Sequence, residues 1–225
     1  MKYTRFAIYY LPPKGALAEF GASWLGWDIV GGGDVDQLQV ADLDQVTKRS
    51  RKYGFHATLK PPFRLSKDAS FSDLAAAVKT LSSKMRSARS DGLELVCLGR
   101  FLALVPTGAT SGISDVAAAC VTQLDDYRAP LSDAELERRR KAKLSSEQET
   151  NLVRWGYPYV LKSFRFHMTL TDRVPKNDVA HWVKVAGEFV PPLSEPFDLN
   201  EIALVGERPD GMFELIERYP LMGGY

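Results

Sequence analysis

The chain has little cysteine, little histidine and no excess of either charge. Of its 225 residues two are cysteine and three are histidine. Cys97 and Cys120 stand apart in apolar contexts, which excludes a disulfide framework and the paired spacing of a zinc ribbon. Buried free thiols in a reducing compartment are the expectation. Lysine and arginine total 29 against 28 acidic residues, a net charge of +1, so no general electrostatic pull draws the chain to nucleic acid or a membrane. No apolar run approaches the ~20 residues needed to cross a bilayer. The first such run, Phe6 to Leu11, is short, ends at Pro12-Pro13 and has no small-residue cleavage site, so it is not read as a signal peptide. The expectation is a cytoplasmic protein with no membrane association and no stable protein partner.

Two catalytic signatures are missing as well. There is no Gly-x-Ser-x-Gly elbow for a nucleophilic serine. Gly31-Gly32-Gly33 is not followed by Gly-Lys-Ser or Gly-Lys-Thr, so it reads as a flexible turn rather than a P-loop.

What is present is a repetition. His56-Ala57-Thr58-Leu59 and His167-Met168-Thr169-Leu170 share the pattern His-apolar-Thr-Leu and use two of the three histidines. On a β-strand alternate side chains share a face, so each His and its Thr point the same way. The first strand, expected over 53–60 and stopped by Pro61-Pro62, then shows Gly54, His56, Thr58 and Lys60 on one face. The second, expected over 164–171, shows Arg165, His167, Thr169 and Thr171, with Phe164, Phe166, Met168 and Leu170 behind.

The periodicities flanking these strands repeat too. Leu74, Val78, Leu81 and Met85 predict a helix over 70–85, capped by Ser70 or Ser72. Runs over 93–98 and 101–105 around Gly99-Arg100 predict a hairpin. After the second motif a helix over 177–189 precedes a hairpin of 197–205 and 212–219, turned at Pro209-Asp210-Gly211. Each half thus runs strand, helix, hairpin. The units span about 53–106 and 164–221 within one domain of 225 residues, with a helical insertion over about 107–162. Two such lobes related by a pseudo-twofold would face both His/Thr pairs into one cleft.

Within the insertion a helix from Ser132 mixes Glu135 and Glu137 with Arg138, Arg139, Arg140, Lys141 and Lys143. It reads as a solvated face with Glu135–Arg139 and Glu137–Lys141 pairs. His181, beside Trp182, reads as a surface or boundary residue. Lys48, Arg49, Arg51 and Lys52 ahead of the first motif fit either a phosphate-recruiting cluster or a solvated loop. Tyr9, Trp155, Tyr157 and Tyr159 fit either base stacking or packing.

Two imidazoles on opposite sides of one phosphorus can take a proton from the nucleophile and return one to the leaving oxygen. Thr58 and Thr169 are placed to hold the non-bridging oxygens, where charge concentrates. Lys60 and Arg165 are candidate cationic supports, with Thr171, Tyr9 and Tyr157 as further candidate substrate contacts. Zinc needs three or four ligands, and neither motif face carries Asp, Glu or Cys, so no metal and no other cofactor is expected.

The paired motifs resemble the two signatures of the 2H phosphoesterase superfamily. Arg5 to Tyr10, Trp24 to Trp27, Tyr53 to Lys60 and Gly156 to Tyr159 resemble one branch in particular, bacterial proteins of unknown function often encoded with phosphonate-metabolism genes. The likeness runs from Arg5 to about Leu221. It implies an α+β, 2H phosphoesterase-like bilobal fold: two pseudo-symmetric, antiparallel-rich sheets flanked by helices around a central cleft. It also implies a metal-independent phosphodiesterase or cyclic phosphodiesterase with His56 and His167 as acid and base. The substrate would be a small phosphate ester or an RNA end. The alternative from another class is a non-catalytic module that binds a phosphorylated metabolite or RNA end.

Overall fold

The computed structural model describes residues 2–223. In chain order its elements are β1 (Arg5–Tyr10), α1 (Ala16–Leu25), β2 (Trp27–Asp28), β3 (Gly33–Asp34), α2 (Leu43–Thr47), β4 (Ala57–Phe63), α3 (Phe71–Lys84), β5 (Ala88–Ser90), β6 (Gly92–Leu98) and β7 (Phe101–Thr107). There follow α4 (Ser111–Gln123), α5 (Asp133–Arg140), α6 (Ser146–Trp155), β8 (Met168–Thr169), α7 (Val179–Phe189), β9 (Phe197–Leu199), β10 (Glu201–Glu207) and β11 (Phe213–Pro220). The fold class is α+β, as the resemblance implied.

Seven strands pair in the order β11-β10-β1-β4-β8-β7-β6, every pair antiparallel. The two expected antiparallel halves, four strands and three, are therefore joined edge to edge. Their seam is the pair Ala57–Met168, which lies between the two motif strands. Alternation along β1 sorts its residues cleanly. Phe6, Ile8 and Tyr10 enter the large core under the helices, while Ala7, Tyr9 and Leu11 join a smaller cluster on the other face with Trp27, Val205 and Phe213. Burial of each such large side chain contributes about 1.5–3 kcal/mol.

The helices sit where their signals placed them. In α3, Ser70 accepts from the Asp73 amide, Asp73 accepts from the Ser70 amide, and Leu74, Val78 and Leu81 are buried. Around α5 the expected Glu135–Arg139 and Glu137–Lys141 pairs give way to others. Glu135 caps Ser132 and pairs with Arg64 at 2.8 Å, and Glu137 pairs with Arg140 at 2.9 Å.

The repeat units interleave. Hairpin β6–β7 follows the first motif in sequence but pairs with β8 of the second. Hairpin β10–β11 follows the second motif but pairs with β1, the neighbour of β4. The helices cross with them: α3 packs on β10 and β11, and α7 on β6 and β7. No helix among the described residues is long and apolar enough to cross a membrane.

Both motif strands depart from their expected bounds. β4 starts after His56 and runs through Pro61-Pro62 instead of ending there. Beyond Ala57 it pairs with β1 alone among the described residues, because β8 is two residues long, so the missing proline N–H groups disrupt no ladder on the β8 side. The pairing of β4 with β1 also shifts register, since Tyr9 faces Thr58 whereas Ile8 faces Lys60. The extra residue is a bulge, and it turns Lys60 off the His/Thr face.

Candidate active site

Each motif histidine is held by the same local device. The Nδ1–H of His56 donates to the Gly54 carbonyl at 2.9 Å, and that of His167 donates to the Arg165 carbonyl at 2.8 Å. With Nδ1 occupied by a carbonyl two residues back, Nε2 of each ring is the nitrogen left for chemistry. Gly54 can present its carbonyl this way because it sits at φ 68°, ψ 180°, a region essentially confined to glycine. A Cβ there would meet Ile29 at 2.5 Å.

The seam brings the two motifs together. Ala57 faces Met168; carried one residue either way, that antiparallel register brings His56 level with Thr169 and Thr58 level with His167, and His167 is near enough to act on the His56 charge. The two imidazoles are then diagonal neighbours, with backbones about 7–8 Å apart. That separation leaves room for a tetrahedral phosphate between them. Each ring also rests on an aromatic of the next strand outward. Tyr9 of β1 stacks on His56 with centroids 3.8 Å apart, and Phe101 of β7 lies 5.7 Å from His167.

The histidines differ in what surrounds them. Burial lowers the His56 pKa to about 4; the Gly54 hydrogen bond works the other way, and nearby His167 adds a smaller lowering. His56 is therefore neutral at pH 7. Its Nε2 accepts from the Thr58 hydroxyl at 3.1 Å, so the two side chains of the first motif touch directly.

The other candidate residues divide. Tyr9 is fully buried and braces His56, and burial raises its own pKa. Tyr157 is half-buried under the Arg139 guanidinium at 5.0 Å and lies within electrostatic range of Tyr53; Tyr9 in turn feels Tyr157. Arg165 is exposed and contributes its carbonyl.

Lys60 and Thr171 are not on the cleft face, which corrects the alternation read from the sequence. The bulge buries Lys60, whose Nζ donates to the Val121 carbonyl at 3.0 Å and pairs with Asp125 at 3.3 Å. Desolvation brings its pKa down to about 8 against the pull of Asp125. Thr171 is likewise buried, and its hydroxyl accepts the Leu102 amide at 2.9 Å. Leu170 and Thr171 both direct their amides to the Leu102 carbonyl, so the strand turns away right after Thr169. Both motifs thus leave the shared face two residues past the threonine.

The basic stretch before the first motif is anchored to the second. Asp172 accepts from the Arg49 and Ser50 amides at 2.8 and 3.0 Å, and the Trp24 indole donates to the Leu170 carbonyl at 2.8 Å. Arg51 pairs with Asp34, and Lys52 lies over the Tyr53 ring. Among the described residues no group of three or more His, Cys, Asp or Glu is gathered as metal ligands. The sequence reading gave no site role to Gly54, to Phe101 or to Tyr53, whose ring centre is 6.2 Å from His56. Glycine at the second position before the histidine was the available signal for the first.

Residues 58–214 match the model of a family described as a protein of unknown function, DUF1045. The chain belongs to that family, and the match bears out the resemblance to a branch of proteins of unknown function. A curated protein of Janthinobacterium sp. (strain Marseille), ribose 1,5-bisphosphate phosphokinase PhnN, is 34% identical over 232 residues, covering 98% of this chain and 51% of the relative. The protein of that name from Laribacter hongkongensis is 33% identical over 201 residues, covering 86% and 46%. The chain spans about half the length of the curated relatives it matches. Among solved structures, a crystal structure described as phosphoesterase is 12% identical with a TM-score of 0.47, covering 97% of this chain and 98% of that one. TT0787 of Thermus thermophilus is 15% identical with a TM-score of 0.47, covering 98% and 100%. E. coli LigT complexed with 3'-AMP is 12% identical with a TM-score of 0.45, covering 97% and 98%.

Proposed function

We propose that this chain is a metal-independent phosphodiesterase of the 2H type, acting on a small cyclic phosphate or a nucleotide or RNA end. The observation that carries the reading is the pair of imidazoles set diagonally across the seam, each with Nδ1–H tied to a carbonyl and Nε2 free of backbone. In the proposed reaction His56, neutral at pH 7, takes a proton from water at Nε2. The water oxygen attacks phosphorus, the bond to one ester oxygen breaks, and His167 gives that oxygen its proton. One diester and one water become one monoester and one free hydroxyl; solvent then exchanges the protons on the two rings. Thr58 and Thr169 donate to the non-bridging oxygens, where negative charge builds up in the transition state. A bound phosphate also raises the His56 pKa from its resting value, since an anion favours imidazolium, and so strengthens the base as the substrate arrives.

The relatives' name concerns a kinase acting on ribose 1,5-bisphosphate. The present chain aligns with half of those proteins and has no Gly-Lys-Ser or Gly-Lys-Thr of a P-loop, so we assign it the diesterase chemistry of its own motifs. The name does favour a ribose phosphate ester as the substrate class, in keeping with the phosphonate-metabolism association that the resemblance implies. The test is a panel of ribose cyclic phosphates, 2',3'-cyclic nucleotides and RNA ends bearing a cyclic phosphate, incubated with excess EDTA and read by phosphorus NMR. The reading predicts a new monoester signal from at least one member. Conversion of none, or conversion only when EDTA is left out, contradicts it.

A further inference from the structure

In a pocket beside α5 the cations outnumber the acids. Arg5, Arg64, Arg128, Arg138 and Arg139 line one pocket together with Trp155. Three of these guanidinium groups are neutralised: Arg5 by Glu207, Arg64 by Glu135 at 2.8 Å and Arg128 by Asp125 at 2.8 Å. Among the described residues Arg138 and Arg139 have no ion pair. Arg139 is the unusual one. It is half-buried, and its Nε is shut away from solvent with no hydrogen-bond partner. Its guanidinium lies 5.0 Å over the Tyr157 ring. Burial, and the like charges of Arg138 and Arg5, act against its positive charge, while Tyr157 and Glu135 act for it. A desolvated cation without a counter-charge is costly, and an anion beside the guanidinium offsets part of that cost.

Strand β1 links the pocket to the His/Thr pairs. Arg5 lies on the same face of β1 as Tyr9, four residues or about 13 Å along the strand, and Tyr9 stacks on His56. Tyr157 lies under Arg139 and within electrostatic range of Tyr53.

We propose that Arg139, with Arg5 and Arg138 beside it, forms a second anion site in this pocket, which takes a terminal phosphate carried by the substrate. Calling its occupant substrate rests on the phosphodiesterase reading; the anion site itself does not. The planar guanidinium suits it: with one face on Tyr157, its two Nη groups can present parallel donors to a phosphate. The substrate class narrows accordingly to a phosphodiester that bears a second phosphate on the same small molecule.

Calorimetric titration with two probes that undergo no reaction tests this: adenosine 2'-monophosphate and adenosine 2',5'-bisphosphate. They share base, sugar and one phosphate. Wild type is expected to bind the bisphosphate ~10- to 100-fold more tightly, the scale of a charged hydrogen-bonded pair. Arg139→Gln should bring the ratio of the two affinities close to one, and Arg139→Lys should keep part of it by retaining charge without the fork. Equal affinities in wild type, a ratio that survives in Arg139→Gln, or no binding of either probe overturns the proposal. The readout involves no turnover. A bisphosphate preference in a protein that hydrolyses nothing sinks the diesterase reading and leaves the anion site standing, and the reverse outcome separates them equally.

Discussion

Thr169 and Thr171 are chemically identical and two residues apart, yet their surroundings give them different work. Thr169 is half-exposed beside His167, while the buried Thr171 hydroxyl is the acceptor for the Leu102 amide. Thr171→Val leaves that amide unsatisfied in the core and should cost about 1–3 kcal/mol of stability. Thr169→Val should leave the melting temperature within a few degrees and lower kcat/KM by roughly 100- to 1,000-fold, the scale of one lost transition-state donor to a charged oxygen. Thermal melts beside steady-state kinetics check both; a reversed pattern overturns the placement. Strict alternation, as read from the sequence, assigns both threonines to the cleft. What it misses is a backbone irregularity after each motif, which no side-chain pattern encodes. Lys60 shows the same effect. A lysine in a polar-faced strand reads as solvent- or ligand-facing, but one bulge at β4 turns it into the core beside Asp125.

At the scale of elements, strong local signals were legible and weak ones were not. The α3 stripe, its serine cap and the β6–β7 hairpin appear where their residues place them; of the expected arm over 197–205, Phe197–Leu199 pairs with β5 and the hairpin arm is Glu201–Glu207. The motif strands are not local. β8 keeps two residues because its pairing depends on β4 and β7, and β4 tolerates Pro61-Pro62 because that part of it has no β8 partner. The Gly54 turn ahead of β4 is the element that aims His56. Gly54→Ala introduces a side chain at φ 68° against Ile29, so it should cost about 1–3 kcal/mol and misdirect the carbonyl that holds Nδ1. The expected kinetic signature is a fall in kcat larger than the change in KM. A variant with wild-type kcat shows that the turn does not position the imidazole.

Over the whole molecule, two similar sequence units build one sheet by exchanging hairpins, and the exchange is what sets their motifs side by side. Order along the chain made the repeat visible. Which hairpin lies beside which motif was not visible, because strand partners across the seam are chosen by long-range packing of α3 and α7. The catalytic claim belongs to this scale, since each unit carries one His-x-Thr motif and so one motif imidazole. It is tested most directly by kcat/KM against pH, with EDTA present, for wild type, His56→Ala and His167→Ala on the best substrate of the panel. A base must be deprotonated to act, so activity falls as pH drops through its pKa; with His56 lowered to about 4, the acid limb of the free enzyme should lie well below 6.5. The account predicts that limb in wild type, its loss in His56→Ala, and kcat/KM reduced by about two to four orders of magnitude in each alanine variant. Turnover indifferent to either substitution, or a wild-type acid limb at 6.5 or above, contradicts it.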